Sequence, residues 1–170
     1  MRGLIGESTN PIDDKNRVTL PTKYRKGFLK PSLVVVSDEM DGYPMLKIYD
    51  RADYASYIEH VFDKLGGYNP VDADHVEIRR DLITAQEELK YDEYTYRITL
   101  TPETRRDALI GSEVYFVGME DYVEMWDDQT HREFVANHRR RKVFELLKKD
   151  TDSQKKGKAT EKDDGDQEDR

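Results

Sequence analysis

Short β-prone runs separated by polar turns dominate the hydrophobic pattern of this chain. Residues 18–20 and 97–100 are brief runs of β-branched and aliphatic side chains, and turn-forming residues flank the others. Such a pattern favours many short strands over a few long ones. The predicted strands are residues 1–12, 18–20, 33–37, 45–49, 97–100, 113–117 and 122–126.

Three stretches have the three- and four-residue apolar spacing of helices. In residues 52–65 the spacing is clear, and residues 72–89 also predict a helix. A last helix is predicted to begin at a cap on Asp127 or Thr130 and to run to about residue 149. Residues 151–170 carry twelve charged side chains and no large apolar one, so this tail is predicted to be disordered.

A basic turn follows the first predicted strand. Asp13 and Asp14 lead into Lys15, Asn16 and Arg17, and asparagine tolerates the positive φ that a hairpin tip requires. Pro21 then ends the next strand, and Thr22 can cap a helical turn that carries Lys23 and Arg25. Four cations are therefore expected close together.

The same arrangement returns 80 residues later. Arg97 begins a second Arg-x-Thr-Leu run, Arg105 follows Arg97 by eight residues as Arg25 follows Arg17, and Glu93 precedes Arg97 by four as Asp13 precedes Arg17. An ordered series of matches predicts an internal duplication of one β-rich unit. The predicted organisation is a first half of residues 1–66, a second half of residues 67–150 and the tail of residues 151–170.

These motifs resemble the MraZ family over roughly residues 2–144. The resemblance rests on the Asp-x-Lys-x-Arg turn, the Arg-Val-Thr-Leu-Pro strand, its second copy, and the segment from Val117 to Asp127. It implies an α+β fold of two AbrB-like swapped-hairpin β-barrel halves with peripheral helices. It also implies a bacterial DNA-binding regulator that forms a ring-like homo-oligomer and acts on the promoter of its own cell-division and cell-wall gene cluster.

Two positions depart from the family pattern. Asn16 stands at the usual turn glycine, which is a mild change, whereas the second copy has Tyr96 there and Tyr94 where a lysine is expected. Because an aromatic residue is unfavourable at positive φ, the second loop is expected to differ in shape and to bind DNA less strongly.

Composition and charge narrow the functional classes. The chain of 170 residues is 38% charged and 36% hydrophobic, which is lean for a self-sufficient core and favours association with other chains. The absence of cysteine excludes disulfides and thiol chemistry. No apolar run is long enough to span a bilayer and no signal-peptide pattern is present, so a cytoplasmic protein is expected, and the family resemblance implies association with the nucleoid.

The net charge of −8 opposes nucleic-acid binding if it is taken globally, but the charges are unevenly distributed. Residues 1–30 carry seven basic and three acidic side chains. Such a local patch on an acidic body can bind phosphate while the surrounding field weakens non-specific contacts. A solvated basic terminus is the alternative, and the repeated motif favours the binding interpretation.

The sequence does not predict an enzyme, a cofactor or a metal. His131 and His138 are seven residues apart, which is longer than the spacing of a chelating pair on a helix. The adjacent Asp13 and Asp14 would point to opposite sides of a strand, which suits no acid–base pair. Phosphate-cradling glycine loops and nucleophile motifs are also absent.

The expected interaction is with double-stranded DNA. Arginine can pair bidentately with guanine or phosphate, and lysine pairs with phosphate as a point charge. Asp13 and Glu93 are predicted to order the two loops, although ordering alone would also explain the pairing of Asp13 with Arg17. The predicted DNA-binding residues are Lys15, Asn16, Arg17, Lys23, Arg25, Arg97 and Arg105.

Two alternatives stay open. Arg25 and Arg105 can instead pack over a neighbouring strand or subunit. The whole chain can instead be a non-catalytic structural or protein-interaction ring whose basic loops bind acidic partners. Several strand aromatics are predicted to be core or subunit interface, and not platforms for base stacking: Tyr49, Tyr115, Phe116, Tyr122 and Trp126.

Overall fold

The computed structural model describes residues 3–28, 32–139 and 145. The chain divides into two compact units, residues 1–131 and 132–170, and the first contains all the strands described below. The strands are β1 Leu4–Pro11, β2 Arg17–Thr19, β3 Leu33–Met40, β4 Tyr43–Asp50, β5 Gln86–Asp92, β6 Arg97–Thr99, β7 Glu113–Glu120 and β8 Val123–Asp127. The α-helices are α1 Arg51–Lys64, α2 Ala73–Thr84, α3 Pro102–Asp107 and α4 Asp128–Phe134, and a 3₁₀ turn covers Thr22–Tyr24.

The eight strands form one antiparallel sheet in the order β1-β7-β8-β4-β3-β5-β6-β2. An isolated bridge between Ile12 and Val18 connects the end of β1 to β2, so the sheet curls into a nearly closed barrel. Closure protects strand edges that would otherwise be exposed to pairing with other chains. The barrel confirms the predicted α+β class.

The two copies of the repeat exchange strands within this barrel. β1 of the first copy pairs with β7 of the second, from Leu4 opposite Glu120 to Pro11 opposite Glu113. β5 of the second copy pairs in turn with β3 of the first. The like strands β2 and β6 pair with each other, as do β4 and β8. The swapped-hairpin architecture is therefore present within a single chain, and the predicted boundary near residue 66 divides the sequence but not the sheet.

The barrel interior is filled by alternate side chains of the strands. The alternation buries Val18 and Ile98 from the short paired strands and Phe116 from β7. A second apolar cluster lies where α1 covers the sheet, and it contains Tyr49 and Phe62. Of the aromatic residues predicted to be core, Tyr49, Phe116 and Trp126 are buried, whereas Tyr115 and Tyr122 are partly buried.

The prediction of one helix over residues 72–89 is wrong. α2 ends at Thr84, and β5 begins at Gln86. Residues 86–92 form a strand in preference to a helix because the strand buries Leu89 in the barrel opposite Leu33. Tyr91 packs partly against the same core. Tertiary pairing therefore overrides a helical pattern that continues from the preceding residues.

The predicted cap of the last helix is correct. The Asp127 Oδ2 atom accepts hydrogen bonds from the Thr130 backbone N–H and hydroxyl at 3.1 and 3.3 Å. α4 then passes into a π-helical turn, Val135–Arg139. The predicted end of this helix near residue 149 and the predicted disordered tail lie outside the described residues.

Gly118 allows β1 and β7 to approach closely, and this predicts a large effect of adding one methyl group. A Cβ atom at Gly118 would lie 2.3 Å from the Leu4 carbonyl oxygen, which is backbone and cannot rotate away. Gly118→Ala should therefore lower the free energy of unfolding by about 1–3 kcal/mol, as overpacking does. The measurement is chemical denaturation followed by circular dichroism.

Gly111→Ala is the matched control for that substitution. Its added Cβ would lie 3.3 Å from the Asp127 Oδ1 atom, which belongs to a side chain that can shift. The control should lose less stability than Gly118→Ala, and equal losses would contradict the explanation by backbone contact.

Candidate nucleic-acid interface

Antiparallel pairing of β2 with β6 places the two hairpin loops at opposite ends of this strand pair. We define the first loop as residues 13–17 and the second loop as residues 92–97. Arg17 lies opposite Thr99, and Thr19 lies opposite Arg97. Beyond the strands, the Leu20 N–H donates to the Tyr96 carbonyl at 2.7 Å and the Leu100 N–H donates to the Asn16 carbonyl at 3.0 Å. Each loop is therefore hydrogen-bonded to the strand end of the other copy.

The first loop is organised around the Asp13 carboxylate. Its Oδ1 atom accepts from the backbone N–H groups of Lys15 and Arg17 at 3.0 and 2.8 Å. Its Oδ2 atom accepts from Nε and Nη2 of Arg17 at 2.8 and 2.7 Å. The hydrogen bond from the Arg17 side chain is the main reason that the pKa of Asp13 lies below its usual range, so the carboxylate is charged at neutral pH. Asn16 occupies the turn at φ +58°.

The second loop is also organised around an aspartate carboxylate, but it is one residue longer than the first. Three residues separate Asp13 from Arg17, and four separate the paired residues Asp92 and Arg97. The Asp92 Oδ1 atom accepts from the N–H groups of Tyr94 and Thr95 at 2.9 and 3.1 Å. The backbone hydrogen bond from Thr95 is the largest cause of the lowered pKa of Asp92.

The carboxylate that orders the second loop is Asp92, one residue before the predicted Glu93. The prediction assumed that both loops have the same length, and the additional residue displaces the equivalent aspartate. Tyr96 nevertheless keeps the left-handed conformation, at φ +55°. The second loop therefore differs from the first in having one inserted residue, and its positive-φ position is retained.

The two predicted helical-turn arginines brace the loops crosswise. Nη1 of Arg105, which follows β6, donates to the Asp13 carbonyl at 3.0 Å and to the Asn16 Oδ1 atom at 2.8 Å. Its Nε atom donates to the Ile110 carbonyl at 3.0 Å, and its Nη2 atom donates to the Gly111 carbonyl. The arginine of the second copy therefore holds the loop of the first.

Arg25 has the reciprocal position. Its guanidinium carbon lies 4.2 Å from the centre of the Tyr96 ring in the second loop, a cation–π distance. Its Nε atom also donates to the Leu20 carbonyl at 3.0 Å. Both arginines are partly buried and engaged within the chain.

The remaining predicted cations differ in exposure. Lys15 and Arg97 are exposed at the loops, and Arg17 is partly exposed beside Asp13. Lys23 is also exposed, although its Nζ atom donates to the Glu7 carbonyl. The structure therefore brings Lys15 and Arg17 together at one end of the β2–β6 pair, places Arg97 at the other end, and places Lys23 against β1.

Neither the role of Asp92 nor the prominent position of Tyr94 follows from the loop motif, in which Tyr94 stands where a lysine is expected. Tyr94 is 96% exposed at the tip of the second loop. The signal for Asp92 is its position two residues before Tyr94, because an aspartate commonly accepts a hydrogen bond from the backbone two residues ahead.

The described part of the chain has neither a metal-binding cluster nor a membrane-spanning helix. Within residues 3–28, 32–139 and 145, histidine, aspartate and glutamate form no group of three or more suited to a metal ion. No helix in this part of the chain is long and apolar enough to cross a membrane.

Comparison with known proteins supports the resemblance. Residues 4–65 match a family model described as "MraZ protein, putative antitoxin-like". A transcriptional regulator MraZ from Mycolicibacterium gilvum is 31% identical over 135 residues, which cover 79% of this chain and 88% of the relative. This chain belongs to the MraZ family. MraZ regulators from Mycobacterium leprae and Mycobacterium avium are 28% and 29% identical over the same shares of the two chains.

The bracing arrangement of this MraZ-family chain predicts that Arg105→Ala disorders the first loop. The substitution leaves the Asp13 carbonyl and the Asn16 side chain without their charged donor, and hydrogen bonds to charged groups contribute about 1.5–3 kcal/mol. We expect a lower melting temperature and faster amide hydrogen exchange at Lys15 and Arg17.

Arg106→Ala is the matched control for Arg105→Ala. Arg106 is the next residue of α3, carries the same charge and is exposed. It should leave both the melting temperature and the exchange rates unchanged. Equal effects of the two substitutions would show that charge, and not the bracing contacts, maintains the loop.

Proposed function

We propose that this chain is a sequence-specific DNA-binding transcriptional regulator that acts through short DNA repeats at the promoter of its own cell-division and cell-wall gene cluster. The observation that carries the proposal is the presence of two ordered, cation-bearing loops, one at each end of the β2–β6 pair. The names of the relatives, transcriptional regulators of the same family, point in the same direction. The proposed activity is binding without catalysis or a cofactor, and its place of action is the nucleoid.

Arg17 is the proposed base-reading residue. Asp13 occupies Nε and one side of Nη2, which fixes one edge of the guanidinium. The opposite edge, formed by Nη1 and the second N–H of Nη2, has the geometry that pairs with guanine O6 and N7 or with a phosphate. Because Asp13 is charged at neutral pH, the side chain is held in place before DNA arrives, which reduces the entropy lost on binding.

The other cations have different proposed roles. Lys15 is exposed at the tip and is suited to pairing with phosphate as a point charge. Arg97 is the corresponding cation of the second loop. For Arg25 and Arg105 the contacts within the chain support a positioning role, since a direct contact with DNA would compete with their bonds to the loops. Asn16 also has a proposed positioning role, because its side-chain oxygen accepts a hydrogen bond from Arg105.

The acidic body of the protein favours selective over general binding. The net charge of −8 repels DNA at a distance, so the local cations must compensate by fitting the correct site. One pair of loops supplies few contacts, and this is fewer than most specific DNA complexes use. Several loop pairs that bind successive DNA repeats at once would supply the remaining affinity, because each bound loop pair raises the effective concentration of the next.

Multivalent binding requires an oligomer, and we propose that the chain forms a ring of several copies. Exposed apolar side chains support association, and two of them, Ile5 and Met119, are opposed on β1 and β7. Light scattering at micromolar concentration should give several times the mass of one chain. A monomer at that concentration would remove the multivalent mechanism and leave single-site binding.

The deciding measurement for DNA binding is fluorescence anisotropy on a duplex from upstream of the chain's own gene and on a scrambled duplex. Arg17→Ala should cost roughly 1–3 kcal/mol per engaged loop and abolish selectivity, and Arg97→Ala should cost less. Lys15→Ala should weaken both duplexes similarly and flatten the dependence on salt. Arg80→Ala, which removes an exposed arginine of α2, is the control and should bind as the parent does.

The same experiment tests the protein-interaction alternative. Equal binding to the native duplex, the scrambled duplex and heparin would favour a ring that recognises acidic partners by charge. If Arg97→Ala is as damaging as Arg17→Ala, the two loops contribute equally. If neither substitution matters, the loops are not the DNA-binding site.

A further inference from the structure

Tyr94 has the same backbone position in the second loop as Lys15 has in the first. In each loop an aspartate Oδ1 atom accepts the N–H of the residue two positions ahead, and these residues are Lys15 after Asp13 and Tyr94 after Asp92. The additional residue of the second loop follows this turn. The hydrogen-bond pattern therefore aligns Tyr94 with Lys15 without reference to side-chain similarity.

The surroundings of Tyr94 leave its side chain accessible. The residue is 96% exposed, although its backbone is fixed by Asp92 and its loop is held at the end of β2 by the hydrogen bond from the Leu20 N–H to the Tyr96 carbonyl. A tyrosine carries few rotatable bonds, so presenting it from an ordered loop loses less entropy on binding than presenting a lysine. Exposure alone would not indicate a ligand, since single exposed apolar residues are common. The alignment with Lys15 at the proposed interface supplies the second reason.

We propose that Tyr94 is a DNA-contacting residue whose phenolic hydroxyl donates a hydrogen bond to a backbone phosphate, at the place in the second loop where Lys15 would act in the first. This inference rests on the proposed function and adds a specific contact to it. Tyrosine hydroxyls are among the donors that proteins use toward DNA phosphates.

A neutral donor changes the character of the second loop. Lysine displaces a condensed counterion when it neutralises a phosphate, which steepens the decline of affinity with salt, whereas tyrosine releases none. Asp92 and Glu93 directly precede Tyr94, so a cation at this position would be partly neutralised by these neighbours. The second loop thus supplies a contact that depends little on salt beside the cationic first loop.

The test measures anisotropy on the duplex from upstream of the chain's own gene at two salt concentrations. Tyr94→Phe removes only the hydroxyl, and we expect about a tenfold loss of affinity per engaged loop at both concentrations, as for one hydrogen bond to a charged group. Tyr94→Ala should lose at least as much. Tyr94→Lys should restore affinity at low salt and steepen the logarithmic salt slope by about 0.9 per engaged loop.

The control is Tyr57→Phe. Tyr57 is an exposed tyrosine of α1, which packs on β4, and β4 lies three positions from β6 in the strand order. This variant should bind as the parent does. Melting curves and light scattering should show that all the Tyr94 variants keep the fold and assembly of the parent, because the side chain is almost entirely exposed.

Each contrary result has a distinct meaning. Parental binding by Tyr94→Phe would overturn the phosphate hydrogen bond, and an equal loss in Tyr57→Phe would overturn its assignment to the loop. Parental binding by both Tyr94→Phe and Tyr94→Ala, with Arg17→Ala inactive, would overturn this inference while the proposed function stands. Failure of the parent protein to bind either duplex would overturn both.

Discussion

The guanidinium of Arg105 connects parts of the chain that are nearly ninety residues apart, and the geometry of the first loop depends on it. Its Nη1 atom satisfies the Asp13 carbonyl and the Asn16 side chain, and its other nitrogen atoms satisfy the Ile110 and Gly111 carbonyls, which follow α3. A loop that tight presents several backbone acceptors within a small volume, and one planar cation with five donors can satisfy them together. The pairing of β2 with β6 then holds each loop against the strand end of the other copy, so the geometry of each loop depends on both copies.

The two loops show how a duplicated unit can diverge without losing its framework. Both retain an aspartate that binds the following N–H groups, a residue at positive φ and an arginine at the start of the next strand. They differ in one inserted residue and in the side chain at the tip, which is a lysine in one and a tyrosine in the other. Backbone requirements therefore constrain the base of each loop, while the tip varies in charge and reach.

The parts of the structure that sequence predicted well are those governed by local chemistry. The turn at Asn16, the strand beginning at Arg97 and the cap at Asp127 follow from preferences of a few neighbouring residues. β5 was missed because its pairing with β3 is non-local, and the helical pattern before it continues without a break signal. The bracing by Arg105 could not be read from spacing, since its partners in the first loop are remote in sequence. The spacing from Arg97 points to Glu93 and not to Asp92, because the second loop contains one inserted residue between its aspartate and its arginine.

The pairing of β1 with β7 has a consequence for how the protein is made. About 100 residues separate the paired strands, so at typical rates of synthesis β1 waits on the order of 5–20 s before its partner emerges. During that interval its edge is unpaired, and the barrel cannot close. A β7 strand from a neighbouring chain offers the same register as the strand still to come, and domain swapping of this kind is a low-cost route to association. On a polysome, the relative rates of chain elongation and of association between neighbouring nascent chains therefore determine whether a closed barrel or a strand-swapped pair of chains forms.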